Sequence, residues 1–253
     1  MTAYNCENFL EKTLECLLNQ TFQDFEIVVV EDGSDDSTRE ILRKRSKADS
    51  RIRVFFPGRL RRAKALNFGL GKCQGKYLAI NDADDFSKPT RFAKQIAFLE
   101  SHPEVGLLGT GKEVHDGDNK WVSTIPVTHE EICRHFVKGQ PIQHSSVMFR
   151  REIVDLVGGY NENISFLLDR DIFLRVVQHT KLHQLDEPLI ILNRSNKQFF
   201  IHKYKGMERA RLSAKYQLMA ISQFGFSPFL KLEIWLKLWY RAILELKYRL
   251  QKK

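Results

Sequence analysis

The chain has 253 residues, of which 43% are hydrophobic and 28% are charged, a composition that excludes a disordered or fibrous protein and suits one large α/β domain. Its four cysteines form no CxxC pair, which argues against a disulfide framework or a zinc ribbon. The net charge of +9 lies in residues 203–253, which hold 12 Lys and Arg against 3 Asp and Glu, whereas residues 1–202 are balanced.

Helical and strand patterns alternate through the first half of the chain. The spacing of apolar residues predicts four helices, over 8–19, 34–46, 62–72 and 90–101. Short apolar runs predict three strands, over 25–30, 52–56 and 76–81. Ser34 or Asp35 is expected to cap the second helix, and Pro89 is expected to open the fourth. This alternation with short loops predicts a parallel sheet covered by helices on both faces.

After residue 104 the pattern changes to shorter, mixed elements. Strands are predicted over 105–108, 122–125 and 145–149, and helices around 130–138 and 169–180. From residue 203 the pattern is helical to the end, with Pro228 between two helices. We therefore expect one α/β domain over 1–202, with halves at 1–104 and 105–202, followed by a basic helical tail over 203–253.

The densest group of acidic residues follows the strand predicted over 76–81. Asp82, Asp84 and Asp85 stand at the strand end, where open α/β sheets bind ligands. Carboxylates this close repel one another unless a cation neutralises them, and a hard divalent ion that also binds phosphate oxygens suits such a group. The alternative is a polar turn that caps the next helix.

A second acidic group, Glu31 and Asp32, ends the strand predicted over 25–30, and Gly33 supplies the turn that follows. Two acidic strand ends in one parallel sheet can converge on one crevice, which favours a shared binding site. In this interpretation a metal neutralises a diphosphate, and Asp32 accepts hydrogen bonds from the base or ribose of a nucleotide.

Ordered motifs extend over about residues 3–195. Those of the first half are Tyr4-Asn5 with Glu7, then 17–22, 25–38 and 65–69, and then 81–85 with Pro89 and Arg91. Those of the second half are 144–151, 158–162 and 169–175. This ordered set resembles the family 2 glycosyltransferases. The resemblance implies a GT-A fold, a Rossmann-like mixed sheet flanked by helices, and inverting transfer from a nucleotide sugar with Mg²⁺ or Mn²⁺.

The resemblance also implies roles for single residues. Asp32 matches the position that holds the nucleoside, Asp82 the first acid of the DxD motif near the ribose and diphosphate, and Asp84 the acid that contacts the metal. Asp169 matches the general base that deprotonates the acceptor hydroxyl, a task that needs a positioned carboxylate. Further donor contacts are expected from five residues: Ala3, Tyr4, Glu7, Lys64 and Asn67.

Three basic residues at the start of the helix predicted over 62–72 lie where they can reach the donor diphosphate. They are Arg61, Arg62 and Lys64. For each of them the alternative is a place on a solvated helix face. Of the three, Lys64 is the preferred diphosphate contact.

Two positions depart from the family pattern. Leu168 stands where the family usually has Glu, next to Asp169; Asp171 is the alternative base, although a structural role suits it better. The strand that precedes Tyr4 in the family is reduced to residues 1–3, too few to form it. This predicts either a truncated start or a sheet that is opened between two unpaired neighbours.

The basic tail interleaves aromatic and charged residues, with a polar stripe at 233, 237, 241 and 245 on an otherwise apolar helix. An anionic membrane surface is the favoured partner of this helix, and packing on the domain is the alternative. The longest uncharged run, 216–230, is shorter than the roughly 20 apolar residues that span a bilayer, and the start lacks a signal-peptide core. We therefore expect a cytoplasmic protein, peripheral on the inner face of the membrane. Nucleic acid is not an expected partner, because no binding module accompanies the charge.

Together these patterns predict an enzyme, a hexosyltransferase that builds a polysaccharide or glycolipid of the cell envelope. The expected donor is a UDP- or dTDP-sugar, and a glycan or a lipid-linked molecule is expected as the acceptor. A catalytically silent relative that binds nucleotide sugar or glycan is the alternative, because Leu168 replaces an acid and the first strand is short. Another nucleotide-binding enzyme, such as a methyltransferase, is disfavoured because the strand ends are rich in acids and poor in glycine.

Overall fold

The structure is a computed structural model that describes residues 1–194 and 207–225, together with Leu236 and Trp239. The strands are β1 (Thr2–Ala3), β2 (Ile27–Glu31), β3 (Ile52–Phe55), β4 (Tyr77–Ala79), β5 (Phe86–Ser87), β6 (Val105–Asp116), β7 (Asn119–Ser123), β8 (Met148–Arg150) and β9 (Lys181–Asn193). The helices are α1 (Glu7–Leu18), α2 (Thr38–Ala48), α3 (Arg62–Leu70), α4 (Arg91–Ser101), α5 (His129–Lys138), α6 (Arg151–Val157), α7 (Leu168–Val176) and α8 (Met207–Phe224). A short 3₁₀ turn covers His144–Ser146.

The strands form two sheets. The first is parallel, in the order β1-β2-β3, and the second has the order β4-β8-β6-β9-β5, with β7 paired to β6. Because β8 runs antiparallel to both β4 and β6, and β6 runs parallel to β9, the carboxyl ends of β4, β6 and β9 lie at one edge. The structure thus confirms a mixed α/β sheet flanked by helices.

Alternating residues of the strands supply two hydrophobic cores. In β6, Leu107 belongs to the core under α3, α5, α6, α7 and α8, whereas Leu108 belongs to the core under α1, α2 and α4. In β8, Phe149 and Met148 divide in the same way. Successive side chains of a strand point to opposite faces, so helices cover both faces of the sheet as predicted.

The start of the chain differs from the prediction. Thr2–Ala3 does form a strand, which pairs with β2 in parallel register, and the Met1 ammonium donates to the Val28 carbonyl oxygen at 3.0 Å. The expectation that too few residues remain for this strand is therefore wrong. Two residues suffice because β2 offers a ready row of backbone partners, and Ala3 is fully buried between β2 and α1.

The second helix begins at Thr38, and Ser37 occupies its N-cap position. The prediction that it starts at Ser34, capped by Ser34 or Asp35, is wrong. Backbone N–H groups of 34, 35 and 37 donate instead to side chains outside the segment, those of Glu31, Asn5 and Glu7. These bonds satisfy the donors without a helical turn, so the helix is delayed by four residues.

Other boundaries also move. Pro89 does not open α4, which begins at Arg91 with Thr90 at the N-cap; the Pro89 carbonyl accepts from the Thr21 N–H at 2.8 Å, which holds this segment against the loop after α1. The strand predicted over 105–108 continues to Asp116, because it pairs with β9 along its length. The segment predicted as a strand over 145–149 is the 3₁₀ turn followed by β8, and the strand predicted over 122–125 is Asn119–Ser123. The helix predicted over 169–180 ends at Val176, since 181–193 pair as β9.

The described part of the predicted tail is α8, which packs against α5 and α7. Its buried side chains include Tyr216 and Ile221, and the Gln217 amide donates to the Val137 carbonyl at 2.8 Å. This part therefore packs on the domain. The amphipathic stretch from 226 onward lies outside the described residues, except for Leu236 and Trp239, which are exposed. Among the described helices, none is long and apolar enough to cross a membrane.

Candidate active site

A buried arginine fixes the loop that carries the three aspartates after β4. Arg91 is fully buried, and its guanidinium donates to the carbonyl oxygens of Ile80 at 2.9 Å and Val147 at 3.2 Å, and to the Asn81 side chain at 3.1 Å. Burial lowers the pKa of Arg91 to about 9, so it remains charged at neutral pH. The loop is therefore held to the ends of β4 and the 3₁₀ turn.

Asp82 lies in a basic environment. Its Oδ1 accepts a hydrogen bond from Arg62 Nη2 at 2.8 Å and lies 3.5 Å from His144 Nδ1. The other ring nitrogen of His144 lies 2.8 Å from the Tyr160 hydroxyl. Burial would raise the pKa of Asp82, but Arg62 and His144 hold it well below its usual range. Asp82 is therefore ionised without any metal.

Asp84 and Asp85 lie in an acidic environment. Burial, followed by the charge of Asp82, raises the pKa of Asp84 to about 6, and no ion pair engages Asp84 among the described residues. Asp85 is 3% exposed and accepts from the Ser145 hydroxyl and, at 3.3 Å, from the Asn193 N–H. Burial and then its two acidic neighbours raise the pKa of Asp85 well above its usual value. This side of the loop thus holds more negative charge than its surroundings neutralise.

The residues present fit a hard divalent cation that is shared with phosphate. Within the described ranges, no three His, Cys, Asp or Glu side chains converge as a closed metal cage. Mg²⁺ in phosphate-binding sites usually takes one or two carboxylates and completes its shell with water and phosphate oxygens. Asp84, aided by Asp82, offers that smaller set of oxygen donors, and the uncompensated charge favours a cation there.

The nucleoside-side residues Asp32 and Tyr4 are brought together by Arg59, which the sequence analysis did not select. Asp32 Oδ1 accepts from the N–H groups of Leu60 at 2.6 Å and Arg61 at 3.0 Å, and Oδ2 accepts from Arg59 Nη1 at 2.6 Å. The Arg59 guanidinium lies 3.6 Å from the centroid of the Tyr4 ring. Asp32 is therefore fixed directly after β2, with both of its oxygens bonded within the protein.

Ala3 and Glu7 lie next to this cluster but bond to the backbone. The Ala3 carbonyl accepts from the Asp32 N–H at 2.8 Å, and Glu7 Oε2 accepts from the Ser37 N–H at 3.0 Å. The structure thus shows both residues joining the loops after β1 and β2. Donor contacts by them stay predictions.

Asn67 and Lys64 are not drawn into the cluster around Asp82. The Asn67 amide donates to the Tyr160 carbonyl and the Glu162 carboxylate, both at 2.9 Å, and its oxygen accepts from the Tyr160 N–H at 2.7 Å. It thereby anchors the turn that carries Tyr160. Lys64 is exposed on α3, whereas Arg62, two residues earlier, contacts Asp82. Of the basic residues weighed for the diphosphate, the structure brings Arg62 to the acids and leaves Lys64 in solvent.

Asp169 lies at the start of α7, on the same side as Arg62. Its Oδ1 accepts from the Arg170 N–H at 2.9 Å, and it is partly exposed. The pKa of Arg62 is raised by Asp82 first and by Asp169 as well, against the effect of burial. Arg62 therefore contacts Asp82 and also feels the negative charge of Asp169, the predicted base.

Leu168 and Asp171, on either side of Asp169 in the sequence, are buried. Leu168 is 5% exposed and packs in the core shared with α5 and α8. Asp171 forms an ion pair with Arg175 at 2.7 Å and accepts from the Tyr216 hydroxyl at 2.9 Å. Asp171 thus ties α8 to α7, which agrees with the structural role preferred for it.

Four residues of the cluster received no role or a lower rank in the sequence analysis: His144, Tyr160, Arg59 and Arg62. His144 and Tyr160 stood inside motifs that carry the family resemblance, and Arg62 was considered and ranked below Lys64. The signal available in the sequence was that each of these motifs contains a polar residue. The contact between Arg62 and His144, however, joins positions 82 residues apart in the sequence. No local sequence pattern reveals such a contact.

Comparisons with known proteins agree with this geometry. A family model described as Glycosyl transferase family 2 matches residues 1–157. An uncharacterized glycosyltransferase of Haemophilus influenzae is 32% identical over 165 residues, which are 60% of this chain and 50% of that protein. The amylovoran biosynthesis glycosyltransferase AmsE of Erwinia amylovora is 32% identical over 181 residues, or 70% of this chain and 68% of AmsE.

Solved structures share the fold. S. aureus TarS 1–349 in complex with UDP-GlcNAc matches with a TM-score of 0.70 and 20% identity, over 85% of this chain and 64% of that one. The mannosyltransferase PcManGT from Pyrobaculum calidifontis, in complex with GDP-Man and Mn²⁺, matches with a TM-score of 0.62 and 17% identity, over 94% and 68%. The fold is therefore that of the GT-A glycosyltransferases.

The chain belongs to glycosyl transferase family 2, since the family model covers more than half of it. It spans about half the length of the Haemophilus relative. Family and fold confirm the resemblance drawn from the motifs.

Proposed function

We propose that this chain transfers a sugar from a nucleotide-diphosphate donor to a hydroxyl of a glycan or lipid-linked acceptor, with inversion and with Mg²⁺ or Mn²⁺. The observation that carries this proposal is the arrangement around Arg62. In a chain of this family, Arg62 forms an ion pair with Asp82 at 2.8 Å, and the charge of Asp169 also acts on it. The donor diphosphate and the acceptor hydroxyl would then meet at that point.

Donor binding is assigned to the crevice between the loop after β2 and the loop after β4. Asp32 and Tyr4 would hold the nucleoside of a UDP- or dTDP-sugar, with Arg59 exchanging its present contacts for the ligand. Arg62 would neutralise the diphosphate, because a guanidinium binds phosphate oxygens through two parallel hydrogen bonds. The complexes of TarS with UDP-GlcNAc and of PcManGT with GDP-Man support a nucleotide sugar as the ligand class.

The cation would be held by Asp84, with Asp82 beside it. When bound, it would supply positive charge to the diphosphate and stabilise it as a leaving group. Asp82 remains ionised through Arg62 and His144, and the buried Arg91 keeps the loop in place. These residues support a loop that would present both carboxylates to the cation.

Asp169 would act as the general base. Its carboxylate takes the proton of the acceptor hydroxyl while that oxygen forms a bond to the anomeric carbon and the bond from this carbon to the diphosphate breaks. Attack opposite the leaving group inverts the configuration. The start of α7 favours a carboxylate at this place, since the backbone N–H groups of a helix start stabilise negative charge.

A catalytically silent relative remains the second candidate, and one observation favours it. Leu168, which replaces the usual Glu, is turned into the core and offers no second carboxylate beside Asp169. An assay of UDP-GlcNAc hydrolysis, repeated with the nucleotide sugars that stabilise the protein most in a thermal-shift screen, separates the two. Metal-dependent release of nucleoside diphosphate supports the transferase, whereas binding without turnover supports the silent relative.

We also propose that the region after α8 holds the enzyme on the inner surface of an anionic membrane, where a polysaccharide or glycolipid of the cell envelope is built. The charge of residues 203–253 supports this, since each basic residue near acidic lipid contributes roughly 1 kcal/mol. Co-sedimentation of the full chain with anionic liposomes should fall with high salt and in a chain that ends at Gly225. If both chains stay in the supernatant at low salt, the membrane assignment is wrong.

A further inference from the structure

A second pocket opens beside the loop of the three aspartates. It has a volume of about 360 Å³, within the range of roughly 300–1,000 Å³ typical of small-molecule sites. Its walls come from α1, β5, the ends of β6 and β9, and the turn after β6. The lining residues are Asn8, Phe9, Lys12, Phe86, His115, Gly117 and Asn193.

This pocket lies at the edge of the sheet that carries the donor site. His115 and Asn193 are paired at the carboxyl ends of the parallel strands β6 and β9, and β4 ends at the same edge. The Asn193 N–H donates to Asp85 at 3.3 Å, and Phe86 directly follows Asp85. The pocket and the aspartate loop therefore share a wall.

The base lies on the other face of the sheet. Asp169 is on α7, which packs on the core with α3, whereas the pocket opens beside α1, which packs on the opposite core. A ligand in this pocket would thus stand across the Asp82–Asp85 loop from the general base. It could not present the hydroxyl that reacts, but it could belong to the same chain-like substrate.

The lining has the chemistry of a sugar site. Phe9 and Phe86 offer apolar rings to the C–H face of a pyranose, and the exposed amide of Asn8 can donate and accept toward neighbouring hydroxyls. The Lys12 ammonium lies 4.4 Å from the centroid of the Phe86 ring and has no ion pair among the described residues. Its three donors are thus available to sugar oxygens.

We propose that this pocket binds a sugar residue of the acceptor glycan, remote from the hydroxyl that reacts. The inference rests on the proposed function, because it supposes an acceptor with more than one sugar. It predicts that the enzyme holds its acceptor at two places, one beside Asp169 and one beside Lys12. Longer acceptors should therefore bind better than single sugars.

The test uses the full chain and three methyl glycosides as probes: those of β-GlcNAc, α-glucose and α-rhamnose. Saturation-transfer NMR should show at least one of them bound in the presence of saturating UDP and Mn²⁺. The signal should fall about five- to tenfold in Lys12→Ala and in Asn8→Ala, the scale of a lost hydrogen bond. It should be unchanged in Lys44→Ala, which removes an exposed lysine of α2, a helix that does not line the pocket.

Three results would overturn the assignment: no glycoside binds, the pocket variants bind as well as Lys44→Ala does, or UDP-GlcNAc displaces the glycoside although UDP does not. The last result would mean that the pocket takes the donor sugar. Titration of UDP with Mn²⁺, run on the same samples, reports on the donor site separately. If UDP fails to bind the wild-type chain, the proposed function fails, whereas a glycoside failure with normal UDP binding concerns the pocket alone.

Discussion

Asp82 and Asp84 lie two residues apart on one loop, yet their pKa values move in opposite directions. Arg62 and His144 face Asp82 and hold its pKa low, despite burial. Asp84 is partly buried beside other carboxylates, and its pKa rises to about 6. The difference shows that the surroundings, rather than the motif, set the ionisation of each acid: Asp82 is neutralised by protein residues, whereas under the proposed function a cation would neutralise Asp84.

The largest effect on turnover is expected at Asp169, the predicted base, which lies at the start of α7. Asp169→Asn should reduce kcat for transfer or donor hydrolysis by about 10²–10⁴-fold, the usual contribution of a general base. The affinity for UDP should stay within a few-fold, because the amide keeps the shape of the carboxylate.

The matched variant is Asp171→Asn, which weakens the contacts to Arg175 and Tyr216. It should lower the melting temperature and leave the turnover of the folded enzyme largely intact. Wild-type turnover in Asp169→Asn together with a loss in Asp171→Asn would move the base by two residues.

Replacing Arg62 should have the next largest effect. Arg62→Ala takes away the charged hydrogen bond to Asp82, and such bonds contribute about 1.5–3 kcal/mol. We expect the affinity for UDP with Mn²⁺, measured by titration calorimetry, to fall about 10- to 100-fold, with partial recovery in Arg62→Lys. Lys64→Ala, on the same helix but exposed, should change little. A larger loss in Lys64→Ala would restore the lysine as the diphosphate contact.

Comparing the predicted with the observed elements shows how much of the fold can be read from the sequence. Helices and strands with a clear hydrophobic period, such as α1 and β2, lie within two residues of their predicted bounds. The aspartates after β4 were found because their composition is unusual. By contrast, the late start of α2 depends on Asn5 and Glu7, about 30 residues away, and a local pattern contains no information about such contacts.

The different placement of Arg62 and Lys64 has a related cause. Both residues stand in the first turn of α3, and only the packing of Ala63 and Leu66 into the core fixes which of them turns toward Asp82. Likewise, His144 and Tyr160 belong to separate motifs, and the fold brings them together. Sequence reasoning therefore identified the acids of the site better than the partners that set their ionisation.

The smallest expected effect is the contribution of Asp84 to the pH dependence of the free energy of unfolding. Because the pKa of Asp84 is raised from 3.8 to about 6 in the folded state, the native protein binds more protons than the unfolded chain between these values. The free energy of unfolding without metal should therefore fall as pH rises from about 4 to about 6. Asp84→Asn should flatten this slope in urea unfolding, and Asp155→Asn, an exposed control on α6, should not. An unchanged slope in Asp84→Asn would mean that Asp84 is not the group that titrates.

The most direct measurement of the difference between the two acids is a titration of UDP into the wild-type chain, first with Mn²⁺ and then with EDTA, repeated on Asp84→Asn. If the Asp84 side accepts a cation together with the diphosphate, the wild-type affinity should be at least about tenfold higher with Mn²⁺, since the uncompensated carboxylate otherwise repels the ligand. Asp84→Asn should lose most of that dependence on Mn²⁺. Equal wild-type affinity in Mn²⁺ and in EDTA would contradict the assignment of a metal to Asp84.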